Sequence, residues 1–82
     1  MKEILELYME KEKLHKELDA LNEEASFVLG CLNRQSLKHI SDLAEMTIVI
    51  DKVSQMYIEK IHNIGSRLDD NHKRLIALMK GV

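Results

Sequence analysis

The chain has 82 residues, 45% of them hydrophobic and 32% charged, with a formal net charge of -2. That balance excludes a disordered chain and an evident electrostatic pull toward nucleic acid or anionic membrane, and the length allows one small domain with a marginal core. Pro is absent and Cys31 is the single cysteine, so long helices are permitted and an internal disulfide is not. No apolar run approaches the ~20 residues that cross a bilayer, and the first residues are acidic and amphipathic rather than leader-like. The expected location is cytoplasmic.

Helix one is predicted over about residues 2–32. With Ile4 at heptad position a, the a row is Ile4, Lys11, Leu18, Ala25 and Leu32, and the d row is Leu7, Leu14, Leu21 and Val28. Lys11 alone interrupts this seam, its stem packing while its ammonium reaches solvent or Tyr57. Glu3, Glu10, Glu17 and Glu24 fall on g, a charged edge beside the seam. A turn is predicted at residues 33–36, where Asn33 suits a helix end and Ser36 an N-cap.

Helix two is predicted over about 37–80. Its a row is Ile40, Thr47, Ser54, Ile61, Leu68 and Leu75, and its d row is Leu43, Ile50, Tyr57, Ile64, Asn71 and Leu78. Thr47, Ser54 and Asn71 make this the weaker seam. Its g row reads Met46, Val53, Lys60, Arg67 and Arg74. Gly65-Ser66 allows a break, because Ser66 and Asp69 have the spacing of a capping box.

Folding at 33–36 gives an all-α, antiparallel helical hairpin of coiled-coil type with a longer second helix. The charge register then sets Glu3 level with Arg67 and Glu10 with Lys60, Glu17 with Val53 and Glu24 with Met46. The seam pairs as Ile4 with Ile64, Leu7 with Ile61, Leu18 with Ile50 and Ala25 with Leu43. Helix two overruns by about ten residues, leaving Leu68, Arg74, Leu75, Ile76, Leu78 and Met79 without partners. The stretches 27–32 and 43–50 are apolar on nearly every face, and such helices need further neighbours. A homodimeric four-helix bundle is the expected answer. Phe27, Leu29, Ile48 and Val49 would form a mainly dimerising belt, and Leu75, Ile76, Leu78 and Met79 a partner-binding or dimerising tail.

Candidate chemistry is sparse. Acidic-x-x-His occurs as Glu12 with His15, Glu59 with His62 and Asp69 with His72, the spacing of di-iron carboxylate bundles. In these frames the pairs face outward or flank the seam, so they read as exposed helix pairs and no metal or other cofactor is expected. Met46, Met56 and Met79 read as core filling. Arg34, Lys38 and His39 lack the aromatic interleaving of a nucleic-acid site. Cys31 sits among apolar residues and reads as a buried, inert thiol. There is no nucleophile–base constellation or glycine loop, so no enzyme is expected.

Val53-Ser54-Gln55-Met56-Tyr57-Ile58 resembles the Ser-Gln-x-Leu-Asp motif of small helical-hairpin phosphatases of sporulation phosphorelays. Ile58 stands where the motif has Asp, so the resemblance implies no phosphatase activity. The hairpin rhythm is similar to that of flagellar and type III secretion chaperones. The expected function is that of a non-enzymatic interaction module that binds a protein partner and regulates its activity or assembly, as small bacterial or phage regulators, antagonists and chaperones do. A scaffold or filament subunit joined through its tails is the alternative, and a metal-binding bundle a minor one.

Overall fold

A computed structural model describes residues 1–38 and 43–81, the side chains of residues 36–38 and 43 excepted. Two helices, α1 (Lys2–Lys38) and α2 (Leu43–Lys80), pack against each other as a hairpin. The molecule is a rod of 63 × 15 × 11 Å between Cα extremes, with a radius of gyration of 18.5 Å. A compact chain of this length would have a radius of about 12 Å.

The heptad frames place the seam correctly on both helices. On α1 every a and d position from Ile4 to Leu32 is buried or half-buried, Leu14 to 1% exposure. On α2 the same holds from Ile50 to Leu78, while Thr47 is exposed. Ile40 and the Leu43 side chain lie outside the described residues. Burial thus follows the 3.5-residue spacing of apolar side chains, which keeps one stripe of each helix toward its neighbour. Gly65 and Ser66 do not break α2, which is helical on both sides of them. No glycine among the described residues has a positive φ.

The turn and the register differ from the expectation. Residues 33–36 are helical, and α1 continues to Lys38. Asn71 Nδ2 donates to the backbone oxygen of Leu7 at 2.9 Å, ten residues beyond Ile61, the partner expected for Leu7. Tyr57 lies against Glu24, eleven residues beyond the expected Met46. The helices have therefore slipped by ten or eleven residues, and they end level. Leu75, expected to overhang, is only 3% exposed. Leu78 is half-buried and shares a groove with Glu3 and Leu7.

The physical reason is that apolar a and d positions alternate every three or four residues along each seam, so apolar pattern alone accepts several registers, one of them ten or eleven residues away. The charge-matched register satisfies Glu3 and Glu10 and leaves Arg74 over. In the structure Arg74 shares its groove with both Glu3 and Glu10. Heptad spacing then sets Arg67 between Glu10 and Glu17, and Lys60 between Glu17 and Glu24. Lys60 Nζ indeed lies 5.9 Å from the centre of the Tyr57 ring that Glu24 approaches. Neither expected pair, Glu3 with Arg67 or Glu10 with Lys60, is formed. The ion pairs within 4 Å among the described residues, Glu12–Lys16 and Asp69–Lys73, each stay on one helix.

Asn71 is the polar residue this register buries, to 2% exposure. Its Oδ1 has no partner. A buried orphan of this kind costs about 1–3 kcal/mol. A polar seam residue can specify alignment at such a cost, because a slipped register would also strand its amide nitrogen.

Candidate functional site

In an antiparallel pair, the g edges meet along one side of the hairpin and the e edges along the other. The g side carries charge at the open end. There Glu3, Glu6, Glu10 and Arg74 surround a groove floored by Leu7, Ala77 and Leu78. Toward the closed end the same side becomes apolar, with Phe27, Val49 and Met56 exposed and Met46, Val53 and Cys31 half-buried. The e side carries exposed apolar residues at both levels, Leu5, Tyr8, Ile76 and Met79 at the open end and Ile48 and Ile58 farther toward the closed end.

Phe27 is 70% exposed, and Ile48 and Val49 are also exposed. Leu29 is half-buried. All four lie in the part of the rod nearest the chain reversal, around helix stretches whose own seam is thin. Ser54 and Ala25 are small seam residues there, and Thr47 faces solvent.

The tail residues divide. Leu75 and Leu78 belong to the seam, whereas Ile76 and Met79 remain exposed. The end-level register brings Leu5, Tyr8 and Met9 of α1, all exposed, to the same end of the rod. Those three were missed in the sequence because the expected register had put α1 ten residues away from the tail. Their signal was present: Leu5 and Tyr8 hold b and e, flanking the seam on the side where α2 places Ile76 and Met79.

Polar groups offer little reactive chemistry. Lys11 Nζ lies 6.0 Å from the centre of the Tyr8 ring on its own helix, not at Tyr57. Burial, reinforced by the Glu24 carboxylate at its hydroxyl, raises the Tyr57 phenol above its usual value of 10.0. The Asp69 carboxylate raises Lys73 above 10.5. Cys31 is half-buried rather than buried, and Arg34 Nη2 donates to its sulfur at 3.3 Å. Glu12, His15, Glu59, His62, Asp69 and His72 are all exposed. Among the described residues no three His, Cys, Asp or Glu side chains converge on a metal-sized space. Lys38 and His39 lie outside the described side chains. No helix among the described residues is long and apolar enough to cross a membrane.

No family model matches the chain, and no curated protein or solved structure is significantly similar to it.

Proposed function

We propose that this chain is a non-enzymatic, cytoplasmic interaction module that forms a homodimeric four-helix bundle and binds a protein partner to regulate its activity or assembly. The supporting observation is surface. The rod exposes 6466 Å². A compact folded monomer of 9.5 kDa exposes about 5,000 Å². The surplus of about 1,400 Å² per chain exceeds the roughly 800 Å² per partner that a standard interface buries. Phe27, Ile48 and Val49 contribute exposed apolar surface to it toward the closed end.

The scaffold alternative relied on tails that overhang and pack end to end. Helices that end level leave that route without its joint. Sedimentation equilibrium tests the dimer: the wild type is expected at twice 9.5 kDa, and Phe27→Asp with Ile48→Asp at the monomer mass with its helical circular dichroism kept. A wild type that stays monomeric at high micromolar concentration, or grows without limit, contradicts the reading.

A further inference from the structure

We infer that the open end of the e side is a docking groove for one acidic amphipathic helix of another protein. The inference rests on the partner-binding half of the proposed function and gives that partner a chemistry.

The cleft itself is lined by Leu5, Tyr8, Met9, Lys11, Glu12 and His15 of α1. Heptad position sets the exposed Ile76 and Met79 of α2 on the same side of the rod. They flank the seam where a third helix would lie, since apolar residues at e beside a and d are the mark of a helix with more than one neighbour. The patch covers about two to three turns, so it suits an occupant segment of about 10–14 residues.

Charge selects the occupant. The f row outside the patch supplies Lys2 and Lys16 on α1 and Lys73 and Lys80 on α2, and Lys11 lies within it over Tyr8. Glu12, Asp69 and Asp70 are the nearby carboxylates; Glu12 is engaged by Lys16 at 3.5 Å and Asp69 by Lys73 at 3.1 Å, and Asp70 also acts on Lys73. Five lysines against three carboxylates make this face cationic on a chain whose net charge is -2. A second copy docking here by twofold symmetry would set lysine rims against each other, which like-charge repulsion disfavours. A flat anionic membrane would have to desolvate Glu12 and Asp69 beside its own negative headgroups. A helix with apolar anchors at i, i+3, i+4 and i+7, flanked by Glu or Asp, satisfies the groove's shape and its rim together.

Panning a displayed library of helical 16-residue peptides against the intact protein tests this. The enriched peptides are expected to carry that apolar spacing with a net negative charge. A selected synthetic peptide should bind about tenfold or more weakly to Leu5→Asp with Met79→Asp, and more weakly as salt rises from 50 to 300 mM. It should bind Phe27→Asp with Ile48→Asp as well as it binds wild type, so loss of the dimer and loss of this groove are read separately. Unaltered helical circular dichroism checks that each variant is folded. Enriched peptides that are basic or uncharged, binding that survives Leu5→Asp with Met79→Asp, or saturable binding to phosphatidylserine vesicles in place of peptide would overturn the proposal.

Discussion

The two ends of this rod use the same kinds of side chain differently. Toward the open end, Leu14, Ile64, Asn71 and Leu75 are sunk between the helices, and the apolar residues left outside are bordered by lysines. Toward the closed end, Ala25 and Tyr57 are the buried members, the seam contains Ser54 and an exposed Thr47, and Phe27, Ile48 and Val49 stand in solvent beside charges of both signs, Glu23, Glu45, Asp51 and Lys52. A strong seam with a charged rim leaves a face for a partner of opposite charge. A weak seam whose exposed apolar side chains stand among charges of mixed sign leaves a face that more apolar surface completes, and an identical chain supplies it.

The largest effect expected from this contrast is at Leu14. Leu14→Ala opens a cavity between two helices and should cost about 2–3 kcal/mol in urea unfolding, toward the lower end for buried leucines because a two-helix seam relaxes easily. Ile48→Ala should cost a small fraction of that at concentrations where the chain is monomeric. Equal losses would erase the difference between the ends. Asn71→Leu removes the unpartnered Oδ1 together with its amide and should stabilise the hairpin by about 1 kcal/mol. The same change should broaden the register, seen as additional cross-linked species between α1 and α2.

Gly65→Ala should stabilise by about 0.5–1 kcal/mol, since an added Cβ there meets nothing within 4 Å and the backbone is already helical. No change, or a loss, would show that Gly65 serves a bend after all. The smallest effect is confined to alkaline pH. The folded state holds the Tyr57 proton more tightly than the unfolded chain does. Its contribution is therefore complete below about pH 10 and is lost as pH rises through the raised value. Tyr57→Phe should flatten the alkaline fall in stability, and tyrosinate absorbance should show Tyr57 ionising late.

Much of the fold was legible because each helix advertises its own stripe. Ile4 to Leu32 and Ile50 to Leu78 could be assigned to the seam one helix at a time, by spacing alone. Register was not legible in that way, because it is a relation between two stripes that repeat. The charged rows suggested an answer through Glu3 with Arg67 and Glu10 with Lys60, but exposed pairs of this kind contribute only about 0.2–1 kcal/mol each. Burying Leu75 contributes about 1.5–3 kcal/mol, which outweighs either pair. The misplacement carried through to the surfaces. The charge-matched register sets Leu75 and Leu78 beyond the end of α1 and holds Leu5, Tyr8 and Met9 about ten residues away from the tail. Phe27, Ile48 and Val49 were legible as exposed because their positions depend on one helix at a time.

The slipped register is the point on which both faces depend, and cross-linking measures it directly. In a Cys31→Ser background, Glu10→Cys with Arg74→Cys places two thiols in one groove, whereas Glu10→Cys with Lys60→Cys tests the charge-matched alignment. A short bifunctional maleimide at low protein concentration is expected to close the first pair within single chains and to leave the second open. Efficient closure of the second pair, with the first unreacted, would contradict the hairpin described here.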